Sequence, residues 1–176
     1  MPFTDTIPIM TALKARMSAL KWTPPVDGAI EEPLFDRVEF YNTPDILQGF
    51  AELRIFKKRI CLIIPSNDNY ENERSGPSLI TRLERTIILL ISDRDFGNRQ
   101  HASTGDKNNP SVLEMNRLVI NDVIGKNLGF LGCLVQPKSA GEVTITGQAR
   151  DDSAGRLAWS IELGVLAGEL ITSTRK

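Results

Sequence analysis

Apolar and polar positions along the first third of the chain follow a helical period. Residues 6–21 predict an amphipathic helix, because their apolar positions fall three and four residues apart. These positions are Ile9, Met10, Leu13, Met17 and Leu20. Thr4, Asp5 and Thr6 are N-cap candidates, and the Thr23-Pro24-Pro25 segment excludes further helix. A second helix is predicted to begin with Thr43 as N-cap and Pro44 at its first position, and to reach Leu53.

The middle of the chain changes to a period of two. A short strand is predicted within residues 26–42, where apolar and polar positions alternate from Leu34 to Tyr41. The apolar run Ile60–Ile64, bounded by Pro65, is typical of a buried strand. A longer strand is predicted over Leu79–Ser92, one-sided at first and apolar on both faces from Ile87 to Ile91.

A third helix is predicted from about Pro110 to Ile124. Two starts fit: Asn109 as the cap with Pro110 at the first position, or a capping box made by Ser111 and Glu114. Its apolar stripe is Met115, Leu118, Val119 and Val123. Gly125 is expected to end the helix in the left-handed conformation.

The C-terminal third predicts three antiparallel strands. Leu128–Gln136 is apolar, whereas Glu142–Gln148 and Leu157–Val165 alternate and are joined by a hairpin loop at residues 151–155. The order of elements predicts one α+β domain over residues 1–176, a mostly antiparallel sheet with the helices packed on one face. The ends, residues 1–5 and 169–176, are expected to be flexible.

Two polar segments, residues 66–77 and 93–109, are predicted to be loops. Polar loops of this length are usually functional or disordered. Both carry charges of alternating sign. These are Arg74, Arg94, Arg99 and Lys107 against Glu71, Glu73, Asp93, Asp95 and Asp106.

The composition changes this picture little. The 176 residues are 41% hydrophobic and 24% charged with a net charge of −1, which is ordinary for one globular domain. This balance gives no electrostatic case for nucleic acid or an anionic membrane. The basic cluster at Arg54 and residues 57–59 suits the end of a helix. The start has no signal-peptide pattern and no apolar run is long enough to span a bilayer, so we expect a cytoplasmic protein.

Candidate chemistry is sparse. Cys61 and Cys133 lie in apolar runs and are expected to be buried free thiols, with a disulfide between two strands as the alternative. Neither cysteine lies beside the single histidine, His101, in sequence, no Gly-x-Ser-x-Gly elbow exists, and no metal-ligand spacing occurs. A hard-cation site with oxygen ligands from Asp93, Asp95 and Asp106 is the weaker interpretation. The favoured interpretation is that these acids form ion pairs with Arg94 and Arg99 in a solvated loop. No cofactor, metal or catalytic residue is therefore predicted.

The arrangement of elements resembles the tail terminator, or tail-completion, proteins of tailed phages and prophages. The resemblance covers roughly residues 6–168 and lies in the order of elements, with no diagnostic motif. The elements that carry it are the helix Ile9 to Leu20, the helix Pro44 to Leu53, the strands Arg59 to Pro65 and Leu79 to Ser92, the polar loop, the helix Pro110 to Gly125 and the hairpin Glu142 to Val165.

The resemblance implies a structural protein rather than an enzyme. Members of that family form closed rings, often hexamers, that cap the tail tube and meet the head connector. Its partners would then be other copies of itself, the tail tube and head-connector proteins, within a virion or phage-like particle. The polar loops would contact subunits or tube through Arg74, Asp93, Arg94, Asp95, Arg99 and Lys107.

A second, physical hint also favours assembly. The Leu79–Ser92 strand and the apolar C-terminal hairpin need their edges protected, and a ring that continues the sheet across subunits would do so, as would a helix or loop that covers them. Two other functions stay open from the sequence. One is an enzyme with a site on the 93–110 loop, using Asp93, Asp95 and His101. The other is a small accessory or chaperone-like binding protein.

Overall fold

A computed structural model describes residues 4–41, 59–75, 78–94, 104–105, 109–143 and 156–173. Two helices are seen in this part of the chain, α1 at Thr6–Ala19 and α2 at Val112–Val123. A small antiparallel pair is formed by β1 at Lys21–Trp22 and β2 at Glu32–Pro33. The main sheet has five strands: β3 at Arg37–Phe40, β4 at Arg59–Ser75, β5 at Ser78–Arg94, β6 at Leu134–Val143 and β7 at Arg156–Ser173.

The main sheet has the strand order β3-β4-β5-β7-β6. The β3–β4 pair is parallel, and the other three pairs are antiparallel. The predicted α+β class with a mostly antiparallel sheet is therefore confirmed. The predicted helix over 43–53 lies outside the described residues.

Both helices pack on one face of this sheet, which we call the helical face. One buried cluster joins their apolar stripes to alternate sheet positions. The fully buried members include Ile9, Leu13 and Met17 of α1, Met115, Val119 and Val123 of α2, and Ile63, Ile87, Leu89, Ile161 and Val165 of the strands. Burying each such side chain stabilises the fold by roughly 1.5–3 kcal/mol, so this cluster is its main source of stability.

Polar contacts fix the position of α1. Arg16 donates from Nε to Asp122 of α2 at 2.9 Å, and Lys14 donates to Glu39 of β3 at 2.9 Å. The Lys14 hydrogen bond lowers the pKa of Glu39, with a smaller contribution from Arg37. The helix is thereby held against both its neighbours.

The ends of α2 follow the sequence signals. The Ser111 hydroxyl accepts a hydrogen bond from the Glu114 N–H at 2.9 Å, so the Ser111 start is the one adopted. Gly125 has φ 72°, and its N–H donates to the Val135 carbonyl at 2.9 Å. The glycine thus follows the end of the helix in the left-handed conformation, as predicted, and its hydrogen bond to Val135 also connects this turn to β6.

The opposite face of the sheet, the second face, is also apolar at one end. Ile60, Leu62, Ile64, Leu90 and Ala158 form a separate buried cluster there. The run Ile87–Ile91 therefore places apolar side chains on both faces of the sheet. Ile87, Leu89 and Ile91 belong to the main cluster, and Leu90 belongs to the cluster on the second face. This confirms the prediction of a strand that is apolar on both sides.

The prediction of a loop over residues 66–77 is wrong for residues 66–75. These residues continue β4, which runs for 17 residues and pairs with β5 as far as Ser75↔Ser78. Because the side chains of 66–75 are mostly exposed on both faces, they lack the apolar alternation that marks a half-buried strand.

The C-terminal predictions also need correction. Residues 134–143 form one strand, β6, where the sequence predicted parts of two, and residues 128–133 are turns with Gly129 and Gly132 at positive φ. Residues 144–155, with the predicted hairpin loop, lie outside the described residues. The antiparallel pairing of β6 with β7 agrees with the predicted direction, but of the predicted hairpin strand Glu142–Gln148 only residues 142–143 are among those described. Residues 169–173, predicted to be flexible, continue β7 to Ser173.

Both cysteines are free and buried, which confirms the favoured prediction over the disulfide. Burial raises the pKa of the Cys61 thiol to about 12. Among the described residues, no helix is both long and apolar enough to cross a membrane.

Candidate assembly surface

Three strands extend past their outer neighbours and form what we call the arm: residues 68–75 of β4, 78–85 of β5 and 166–173 of β7. The arm is paired throughout, from Asp68↔Arg85 to Ser78↔Ser173. At about 3.3 Å per residue, strands of this length are about 25 Å long. Its hydrogen bonds are therefore those of a regular sheet, although Leu83 and Ala167 are its only described residues in the buried cluster that includes the helices.

Two β-bulges mark the base of the arm. The register shifts between Pro65 and Asp68 in β4, and again opposite Arg82 and Glu84 in β7. Each bulge adds one residue to an outer strand. In β4 and β7, odd-numbered residues face the helical side before the bulge, and even-numbered residues face it after the bulge, in the arm. Tyr70, Asn72 and Leu170 consequently share a side with Leu79 and Leu83. Bulges also bend a strand and increase its twist.

The side chain of Arg85 forms contacts that join the arm to the N-terminal segment of the domain. This side chain, 11% exposed, forms an ion pair with Asp68 of β4. Its Nε donates to the Thr4 carbonyl at 3.0 Å. The Thr4 N–H in turn donates to the Ala167 carbonyl of β7 at 2.8 Å. One largely buried cation therefore connects β4, β5 and the segment before α1, and through Thr4 it is linked to β7.

Arg82 joins the same strands on the second face, nearer to solvent. It lies between Glu73 of β4, with an Nη1 to Oε2 distance of 3.4 Å, and Glu169 of β7, which accepts from Nε. The hydrogen bond to Glu169 raises the pKa of Arg82. Opposite charges across adjacent strands favour the pairing, but exposure weakens each interaction.

An ion pair crosses β7 on the second face at the base of the arm. Lys138 of β6 pairs with Glu84 of β5 and donates to the Thr86 hydroxyl at 3.1 Å. Gly164 lies between them, and a Cβ there would be 2.7 Å from a Glu84 carboxylate oxygen and 3.0 Å from Lys138 Cε. The missing side chain makes room for the pair to bridge β5 and β6.

The outer edges of the arm have no strand partner among the described residues. On one side, β3 pairs with β4 only as far as Ile63. On the other side, β6 pairs with β7 only as far as Leu166. Unpaired strand edges present backbone donors and acceptors that another strand can bind.

Large apolar side chains are exposed beside these edges. Tyr70 is 58% exposed on β4, while Leu170 and Ile171 are 45% and 62% exposed on β7. The β4 edge is otherwise polar, with Asp68, Glu71, Glu73 and Arg74 among its exposed residues. The two edges of the arm are thus chemically different.

The structure locates part of the predicted contact set. Arg74 is exposed near the tip of β4, opposite Leu79. Asp93 and Arg94 are the last residues of β5, at the other end of the sheet, so they are strand residues and not loop residues. The structure therefore does not bring Arg74 together with these two. Asp95, Arg99 and Lys107 lie outside the described residues, as does His101.

Sequence reasoning missed Tyr70, Leu170, Ile171 and Arg85. A signal existed for β7, since Leu170-Ile171-Thr172 follows Gly168 and continues the apolar character of the predicted strand. No comparable signal marked Tyr70, which is the one aromatic residue in an otherwise polar stretch of β4.

Other candidate sites carry little chemistry. The described part of the chain holds no group of three or more potential metal-ligating side chains. An open depression of about 410 Å³ lies beside β2, lined by residues from Pro24 to Glu32. Its lining offers no nucleophile with an adjacent base, so nothing there indicates catalysis.

Comparison with models of known protein families finds no match, and no curated protein is significantly similar to the chain. The candidate surface must therefore be interpreted from its own geometry.

Proposed function

We propose that this protein is a structural component of a phage or prophage tail, which assembles as a ring to cap or complete the tail tube at the head–tail junction. The observation that carries the proposal is the arm, which has regular hydrogen bonding, exposed apolar side chains and two outer edges without a strand partner in the part of the chain that the structure describes. A monomer gains little from such a surface, whereas an assembly can bury it.

The difference between the two edges supports a ring in particular. A contact that joins two unlike surfaces is head-to-tail, and repetition of a head-to-tail contact gives a closed ring when the rotation closes. The β4 edge is polar and the β7 edge is apolar around Leu170 and Ile171. In such a contact each copy uses its β4 arm edge for one neighbour and its β7 arm edge for the other. A closed ring then leaves no arm edge without a strand partner.

The tail role itself is supported by the order of elements noted above. In this proposal the partners are other copies of the chain, the tail tube and head-connector proteins. The protein would act without cofactor or metal, and would assemble in the cytoplasm into a virion or phage-like particle. Membranes and specific nucleic-acid sequences are not partners in this proposal.

The direct experiment measures absolute mass by light scattering across a concentration series and images the same samples by negative stain, with and without isolated tail tubes. A closed ring, alone or on the tube end, is the expected result. A strict monomer at every concentration that also ignores tubes would contradict the proposal and favour the accessory binding protein instead.

A further inference from the structure

We propose that neighbouring copies join through one seam, in which residues 169–173 of β7 in one copy add as a parallel strand beside residues 69–73 of β4 in the next. The seam rests on the proposed ring-forming role and names the surfaces that form it. It would make one continuous sheet from the arms of all copies.

The strand directions determine the parallel pairing. Both β4 and β7 are antiparallel to β5, so within one arm they run in the same direction. Successive copies in a ring are related by rotation about the ring axis, and the β7 edge then meets a β4 edge that runs the same way. Parallel pairing satisfies the open backbone groups with evenly spaced hydrogen bonds.

The side chains match in the register that aligns residue 169 with residue 69. Leu170, 45% exposed, then lies beside Tyr70, 58% exposed, and both face the helical side. An aliphatic residue beside an aromatic one is a favourable neighbour pair on a sheet. On the second face, Glu169 lies beside the Asn69 amide, and Ile171 lies beside the aliphatic part of Glu71. No like charges are adjacent in these pairs.

The base of the arm is compatible with the seam. Thr4 already occupies the β7 edge at Ala167, through a hydrogen bond of 2.8 Å to that carbonyl, so the open edge begins beyond it. The domains of two joined copies must diverge below this level, because β6 and β3 flank β7 and β4 there. The two bulges lie at this level and bend both outer strands.

Pairing of like edges fits less well. An antiparallel β4–β4 contact centred on any residue from 71 to 73 brings Glu71 or Glu73 against another glutamate, which is destabilising. A β7–β7 contact centred on Ile171 matches apolar residues, but it forms only a dimer and leaves both β4 edges open. It is the competing arrangement that the experiment must separate.

Disulfide trapping tests the seam. We expect Tyr70→Cys and Leu170→Cys, mixed as separate full-length chains and oxidised, to give a covalent dimer, whereas neither variant alone does. The double variant should give a ladder that ends at the ring size. Neighbouring Cα atoms across a sheet lie within the range that a disulfide spans. The native thiols do not interfere, because Cys61 and Cys133 are buried.

A matched control uses the other face of the sheet. Glu71→Cys mixed with Leu170→Cys should not cross-link, because adjacent residues on a strand point to opposite faces, whereas Glu71→Cys with Ile171→Cys should. Circular dichroism checks that each variant keeps its fold. Cross-linking of Leu170→Cys or Ile171→Cys alone would overturn the seam in favour of the β7–β7 dimer, and absence of all cross-links would overturn both.

The two proposals fail separately. Rings seen by negative stain without the Tyr70–Leu170 cross-link would refute the seam and leave the ring intact. A cross-linked ring that never binds a tail tube would support the seam and refute the tail role.

Discussion

The same strands build two different regions, which differ in how far their side chains are buried. Outside the arm, in what we call the body, side chains of β4, β5 and β7 alternate between two buried apolar clusters. In the arm the strands keep their hydrogen bonds, but most side chains of β4 are exposed, those of β5 are mostly half-buried, and Leu83 and Ala167 are the buried apolar residues described there. Regular backbone pairing is therefore continuous, whereas apolar burial falls off towards the tip of the arm.

This difference indicates that the arm depends on the body for its stability, and that its exposed side chains can still contact another molecule. Net contributions of hydrogen bonds are only about 1 kcal/mol each, since unfolded groups bond water instead. A two- or three-stranded sheet without a buried face is marginal in water. The arm is thus stable because its strands continue from a buried sheet, and its exposed residues are available for contacts.

The largest expected effect separates the two regions on a single strand. Leu89 is 0% exposed on β5, whereas Leu79, ten residues earlier, is 37% exposed. We expect Leu89→Ala to lower the free energy of unfolding by about 2–5 kcal/mol, because it removes transfer energy and leaves a cavity. Leu79→Ala should cost under about 1 kcal/mol, as expected for a surface position.

Urea denaturation of both variants, followed by circular dichroism, measures this contrast. Equal destabilisation by the two substitutions would show that the arm is packed as tightly as the body, and the division drawn above would be wrong. Leu79→Ala serves as the matched control, because the residue type, the strand and the substitution are the same.

A smaller effect is expected at the junction between the regions. Arg85→Met should lower stability by about 1–3 kcal/mol, because the Thr4 carbonyl and the Asp68 carboxylate lose a largely buried donor. Hydrogen–deuterium exchange should rise in residues 68–75 and 166–173 more than in α2, since the contacts of Arg85 with Thr4 and Asp68 stabilise the base of the arm.

Arg82→Met is the control for this prediction. Arg82 spans the same three strands, but its side chain is 42% exposed, and we expect no change in stability beyond the error of the measurement. Equal exchange in the arm of both variants would show that Arg85 has no special anchoring role.

The sequence predicted the body better than the arm, for a physical reason. Apolar periodicity reports burial, so it identified α1, α2, the Ile60–Ile64 run and the two-sided apolar stretch of β5. Residues 66–75 are strand without burial, so their polar composition was interpreted as a loop. The bulges in β4 and β7 add a further difficulty, because each one changes which parity faces the helices.

The candidate surface depends on contacts that no local pattern encodes. Leu170 and Tyr70 are a hundred residues apart in sequence, and their placement on opposite edges of one arm follows from the strand order. Arg85 gains its role from Thr4 and Asp68, which the bulge and the N-terminal segment bring to it. Sequence reasoning did predict that sheet edges would need protection by assembly, and this prediction remains to be tested.

The smallest expected effect uses pH to compare burial in the two regions. Burial raises the pKa of Cys61 from its ordinary value of 9.0 to about 12. Between these values the unfolded thiol loses its proton and the folded thiol keeps it, so the unfolded state binds fewer protons. Stability therefore falls as pH rises above 9, by about 1 kcal/mol at pH 10 from this one group.

The measurement is urea denaturation at pH 8 and pH 10 for the wild type and for Cys61→Ala, since other groups that titrate in this range cancel in the difference. The pH-dependent loss should be smaller in Cys61→Ala by that amount. A thiol placed in the arm by Tyr70→Cys provides the contrast: at 58% exposure of the native side chain, it should react with iodoacetamide in the folded protein, whereas Cys61 should react only on unfolding. Rapid native labelling of Cys61 would show that the body opens as readily as the arm, and that burial does not distinguish the two regions.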